Sequence, residues 1–211
     1  MTILEFDEID RYQEFREWIV SMTPSQLMRK KREVTDVVWD LLTYLYMLGY
    51  NTATEEVGQQ IAEDVKPFLP SDYDDSVKPT AITYEDLSDE QKKVADEAIY
   101  KKFDNKNFID RVNEYAELGE ASNIIRVVET DGNRVYNTGG MSGAKASGAK
   151  YKTWGTMEDF KVRDTHDFLA GITVPIEDKF VTYDGDEAMT PGGFENPQNN
   201  VNCRCFLTFG K

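Results

Sequence analysis

Apolar residues in the first half of the chain recur at spacings of three and four. Phe6, Ile9, Tyr12, Phe15 and Ile19 share one face of a helix over Phe6 to Val20. Leu27, Val34, Val37, Val38, Leu41, Tyr44, Leu45 and Leu48 repeat the pattern. Ahead of them, Thr23-Pro24-Ser25-Gln26 combines a hydroxyl that accepts a backbone amide, a proline preset for a first turn and a glutamine that reaches back. That capping box predicts a helix start, and Gly49 offers a left-handed stop. Thr52 with Glu55 and Ser88 with Gln91 repeat the box, predicting a shorter helix that ends before Pro67 and another that runs toward Phe103. A further helix is expected over Asn107 to Leu118, closed by Gly119. Trp39, Tyr44 and Tyr46 fall on more than one side of the long helix, which is expected to leave apolar surface there for a partner.

The pattern breaks between Pro67 and Asp86, where Pro67, Pro70 and Pro79 flank the acidic run Ser71 to Asp75. This reads as an exposed linker near 67–86, with an acidic docking segment for a basic partner as the alternative. From Glu120, the residues Ile124, Ile125, Val128 and Val135, with Arg126, Glu129, Arg134 and Asn137 between them, suit a helix with one apolar face. Gly132, Gly139, Gly140 and Gly143 each weaken it by about 1 kcal/mol relative to alanine unless close packing on a neighbouring backbone compensates. Beyond Gly148, Tyr151 to Trp154 and Asp159 to Arg163 predict two paired strands, with Trp154 and Phe160 facing the core. Asp164 to Ala170 predicts a helical turn stopped by Gly171, and Val201 to Phe209 a terminal strand. The expected fold class is α+β: a helical region over 1–118, then a small α+β domain over 119–211 with a hairpin and a terminal strand.

The 24 Lys and Arg residues against 39 Asp and Glu give a net charge of −15, which disfavours a general nucleic-acid or anionic-membrane binder. Asp36 and Asp40 interrupt the most apolar stretch, Val34 to Tyr50, so no membrane-spanning helix is expected. Met1 to Glu8 has neither a basic leader nor an apolar core of a signal peptide. The only cysteines, Cys203 and Cys205, are too close in sequence for an ordinary structural disulfide, which suits a reducing compartment.

Those two cysteines fall on one face of the expected strand, and with His166, the lone histidine, they make three candidate zinc ligands. Asp159, Asp164 or a water could supply a fourth donor, and ordinary buried thiols are the competing reading. His166 beside Arg163, with Glu129 as an acidic partner, also has the residue types of a general base with an oxyanion donor, as in a nuclease or transferase. A histidine hydrogen-bonded into the junction of hairpin and helix accounts for the same residue without catalysis. Lys145, Lys150, Lys152, Lys161 and Arg163, interleaved with Tyr151 and Trp154, form the one locally basic region where weak DNA contact is expected.

The collinear series Arg126, Glu129-Thr130, Trp154, Asp159, Val162 to His166, Gly171, Val174-Pro175, Phe180, Pro191-Gly192 and Asn202-Cys203-Arg204-Cys205 resembles the carboxy-terminal domain of Mu F-like phage minor head proteins, over roughly Ala121 to Phe206. The resemblance implies a non-enzymatic, low-copy structural protein of the virion. Its expected place is the procapsid near the portal vertex, assembled in the host cytoplasm, with the portal protein or the major capsid protein as partner. Its expected work is head assembly or DNA packaging and delivery. The chain departs from the commoner pattern in having Arg126-Val127-Val128-Glu129-Thr130 where an Arg-Thr-Glu-Thr is usual, and Gly193 after Gly192 where an Asp is usual. Some relatives carry a Cys-x-x-Cys at the hairpin exit and a histidine before the final Cys-x-Cys, a set that resembles a metal site. Here Arg163 and His166 stand at the first pair of positions, and no histidine precedes Asn202.

Overall fold

The computed structural model describes residues 4–65 and 81–211. A 3₁₀ turn at Phe6–Glu8 leads into α1 (Asp10–Val20), which buries Tyr12, Phe15 and Ile19, the residues at helical spacing. At the head of α2 (Pro24–Val65) the expected capping box forms: the Gln26 amide donates to Thr23 Oγ1 at 3.3 Å and the Thr23 amide to Gln26 Oε1 at 2.8 Å. Ser88 and Gln91 cap α3 (Asp89–Ile99) in the same way. Asn107 and Asp110 cap α4 (Phe108–Leu118), which Gly119 closes in the left-handed conformation at φ 73°. α3 ends at Ile99, short of the expected Phe103, and a tight turn at Asp104 and Asn105, both at positive φ, follows before α4.

The expected stop at Gly49 does not occur: α2 runs through it for 42 residues, and Thr52 and Glu55 lie inside the helix rather than at a new start. The reason is α5 (Ala121–Ala146), which packs along α2 more extensively than any other pair of elements. A Cβ on Gly49 would sit 2.1 Å from the Tyr136 carbonyl oxygen, one on Gly139 2.0 Å from the Tyr46 oxygen, and one on Gly143 2.1 Å from the Tyr50 oxygen. The glycines remove the side chains that would hold two helical backbones apart, so Gly49 is a contact residue and keeps helical geometry. Trp39 and Tyr44 are partly buried against the helical core and Tyr46 is fully buried, donating to Ser142 at 3.0 Å. Tyr46 is therefore used within the chain, while Trp39 and Tyr44 keep part of their surface exposed.

Among the described residues the buried apolar side chains form two clusters. One unites α1 to α5, and the other gathers Ala53 and Val57 of α2 with Trp154, Leu169, Phe180, Phe194, Cys203, Cys205 and Phe209. α5 runs between them. Arg134 and Asn137, expected on its solvated side, are buried with the rest of the stretch from Val127 to Asn137 apart from Glu129. Most of the expected linker, including Ser71 to Asp75, lies outside the described residues. Its end at 81–86 is anchored: Ile82 exchanges backbone hydrogen bonds with the Asn51 side chain at 2.8 and 2.9 Å, and Tyr84 lies edge-on to Trp39.

The small sheet has the order β2 (Thr173–Pro175), β1 (Tyr151–Gly155), β5 (Phe206–Gly210), all antiparallel, with Lys152 opposite Val174 and Phe209 and Trp154 opposite Leu207. Two-residue strands β3 (Phe180–Val181) and β4 (Glu187–Ala188) pair separately. The expected hairpin between Tyr151–Trp154 and Asp159–Arg163 is a correction. The chain leaves β1 into a turn in which Glu158 has φ 51° and Asp159 Oδ1 accepts the Lys161 amide at 3.0 Å, so β1 finds its partners further along. Phe160, expected in the core, is 94% exposed as a result. The expected terminal strand starts only at Phe206, leaving Cys203 to Cys205 in the irregular segment before β5.

The adjacent glycines of α5 give a sharp test of the helix contact. Gly139→Ala should lower stability by about 3 kcal/mol because its Cβ has no room against the α2 backbone. Gly140→Ala, whose Cβ would meet nothing closer than Phe209 at 3.5 Å, should be neutral or raise stability by up to about 1 kcal/mol through helix propensity. Urea unfolding of the two variants checks both.

Candidate functional site

α5 presents Thr130, Asn133, Arg134 and Asn137 at three- and four-residue spacing, and all four are buried. This stripe seizes the backbone of the terminal segment. The Asn202 amide donates to Thr130 Oγ1 at 3.4 Å, and the Cys205 carbonyl accepts from Asn133 at 3.3 Å and Asn137 at 3.2 Å. Asn137 Oδ1 takes the Leu207 amide at 3.1 Å. With Asn202 at φ 54°, the irregular stretch alternates inward Cys203 and Cys205 with outward Arg204, whose guanidinium pairs with Asp159 at 2.6 Å. Sequence reasoning missed Asn133 and Thr130 here. The polar spacing along a glycine-rich helix was the signal, and it reads as a solvated face until the far partner is known.

The short helix α6 (Asp164–Asp167) lies beside this segment. Its preceding residue, Arg163, donates to the Val201 carbonyl, and Thr165 to Asn199 at 3.2 Å. His166 thereby enters the core, 2% exposed, with Nδ1 3.6 Å from Cys203 Sγ and 3.4 Å from Cys205 Sγ. The ring stacks on Phe194 and meets the edge of Trp154. Asn200 holds Phe194 in place by accepting its amide at 3.0 Å and donating to its carbonyl at 2.7 Å. Both cysteines are free and buried. The hydrogen bond from Cys205, helped by His166, holds the Cys203 thiol well below its usual range, while the neighbouring Cys203 sulfur and burial push Cys205 up.

The catalytic alternative needs His166, Arg163 and Glu129 around one accessible space, and the structure does not assemble them so. Glu129 accepts the hydroxyl of Tyr12 from α1, Arg163 is spent on a backbone carbonyl, and His166 is closed off by aromatic rings. Nor is the basic region one surface. Lys145 pairs with Glu177 at 2.7 Å, Lys161 lies over the exposed Phe160 ring, and Lys150 is exposed. Lys152 is a correction: it is fully buried, with Nζ 2.8 Å from the Met189 carbonyl and close to the sulfurs of Met141 and Met189. Alternation along β1 puts it on the same inward face as Trp154.

Burial, aided by Lys145, pushes Lys152 down to about 8. Between pH 8 and about 10 the unfolded chain then binds more protons at this residue than the folded chain, so stability should rise with pH across that window. Below pH 8 both states are protonated and the cost of burying the charge is constant. Lys101, also lowered by burial, acts in the same direction. Subtracting the profile of Lys152→Met from that of the native chain, by urea unfolding at each pH, should leave the rise that belongs to Lys152. A flat difference would refute it. Asn137→Ala should cost about 2–3 kcal/mol in the same assay, because the Leu207 amide loses its partner and the Cys205 carbonyl loses one of two.

The described residues contain no helix long and apolar enough to cross a membrane. A family model described as Phage Mu protein F like protein matches residues 82–208, more than half of the chain. No curated protein and no solved structure matches it. The match begins at Ile82, so it takes in α3 and α4 as well as α5, the sheet and the cysteine–histidine cluster, beyond the span that carried the motif resemblance. On that match, the chain belongs to the Phage Mu protein F like family.

Proposed function

We propose that this chain is a phage minor head protein that acts at the portal vertex or within the procapsid, in head assembly or in DNA packaging and delivery. The observation that carries the reading is the family match over residues 82–208. The site supports a structural role over an enzymatic one, since the lone histidine is buried among sulfurs and aromatic rings with no access for a substrate. Its partners are head proteins, the portal protein or the major capsid protein. With a net charge of −15, DNA contact is weak and limited to the surface members of the basic region, Lys145, Lys150, Lys161 and Arg163.

Two measurements test this. Tagged full-length chain, expressed with the portal and major capsid proteins of its own phage, should co-purify with portal rings or procapsids, and recovery of the chain alone overturns the assignment. In a filter-binding titration with duplex DNA, retention should be slight at low salt and lost at moderate salt. Tight, salt-resistant retention would instead favour the nuclease alternative.

A further inference from the structure

We propose that His166, Cys203 and Cys205 form a structural zinc site that staples the terminal segment to α6. His166 comes from α6, and the cysteines lie 37 and 39 residues further along. Nevertheless the three donor atoms lie within 4.8 Å of one another, all three residues buried. The spacing is what an ion requires. Zinc bonds of about 2.3 Å to sulfur and about 2.0 Å to nitrogen, opened to the tetrahedral angle, put nitrogen and sulfur about 3.5 Å apart. The two observed separations are 3.6 and 3.4 Å. Both sulfur–nitrogen separations thus match those around a tetrahedral ion, and the two sulfurs lie within 4.8 Å of each other.

The donor chemistry selects the metal class. Two thiolates and an imidazole are soft to borderline ligands, which favour zinc over the oxygen-seeking magnesium or calcium. Two thiolates and a neutral imidazole around a dication also leave no net charge, which lowers the cost of placing the centre among Trp154, Phe194 and Leu169. The fourth corner is not taken by the nearby acids: Asp159 is paired with Arg204, and Asp164 is exposed at the start of α6. Among the described residues no carboxylate joins the three donors, so a fourth ligand would have to come from outside them. Because the histidine is 2% exposed, the ion holds structure and does not meet a substrate.

The test uses the full chain, expressed with zinc supplied and purified without chelator. Elemental analysis should find one equivalent of zinc. After exchange, Co²⁺ should give the intense thiolate-to-cobalt charge-transfer band together with the visible bands of a tetrahedral site. Cys203→Ser and Cys205→Ser should each abolish the charge-transfer intensity expected for two sulfurs, and His166→Ala should release the ion while His166→Cys, which restores a ligand, retains it. Since serine at a buried position also disturbs packing, the native chain's zinc content and cobalt spectrum stand on their own. A folded native chain with no zinc and no cobalt–thiolate band overturns the proposal and leaves two packed thiols. So does a cobalt–thiolate band that keeps its full two-sulfur intensity in both serine variants. None of these readouts involves heads, so their failure leaves the head-assembly reading intact, and failure to co-purify with heads leaves the zinc site intact.

Discussion

The architecture depends on the backbone contact between α2 and α5. Three glycines, Gly49, Gly139 and Gly143, each place a hydrogen where any other residue would drive a carbon into a carbonyl oxygen of the facing helix. Helices that approach so closely gain many small dispersion contacts along their length, and these offset the intrinsic cost of glycine in a helix. The consequence is that α5 becomes central. Its near side meets α2, and its remaining sides must be covered by α3, α4 and the carboxy-terminal segment. The buried polar residues of a helix enclosed in this way need partners, and Thr130, Asp131, Asn133, Arg134 and Asn137 each have at least one, although Arg134 Nε itself makes no hydrogen bond.

Those commitments build the cluster of His166, Cys203 and Cys205. Arg134, fully buried, pairs with Asp131 and donates to the Ala98 carbonyl at the end of α3, while Arg111 of α4 approaches the same Asp131. Gly192 crosses directly above Arg134, where a Cβ would lie 2.9 Å from the Arg134 Cβ. Asn133, Asn137 and Thr130 hold the terminal segment. Several of the motif positions that carry the family resemblance are thus contact points around one helix: Pro191-Gly192 over Arg134, Asp159 on Arg204, Trp154 beneath His166, and Asn202 to Cys205 along the polar stripe. Single motifs there look unspecific because each is half of a long-range contact.

The same packing redistributes charge and apolar surface. Arg134 and Lys152 are withdrawn from the surface of a chain that is already strongly acidic, and Tyr46 and Tyr50 of α2 are buried while Trp39 and Tyr44 are only partly so. The exposed large apolar residues include Phe160, Phe168, Val181 and Tyr183 of the carboxy-terminal part, where Phe168 and Tyr183 meet edge to face.

What the amino-acid sequence determined by itself was local. The capping boxes at Thr23, Ser88 and Asn107, the left-handed Gly119 and the three- and four-residue apolar spacing placed the helix starts and the α+β class, because hydrogen bonds within a few residues decide them. The grouping of His166 with Cys203 and Cys205 was proposed from residue type, since they are the chain's one histidine and two cysteines, although the strand expected to carry the cysteines starts only at Phe206. Tertiary structure alone decided the rest. Gly49 looks like a helix stop until Tyr136, 87 residues away, comes to lie against it. Asp159 to Arg163 looks like a strand until Asp159 closes its own turn and strands from further along take the two edges of β1. Lys152 and Asn137 look solvated until the sheet and α5 close over them. In each case local propensity is worth about 1 kcal/mol or less per residue, and one buried long-range contact outweighs it.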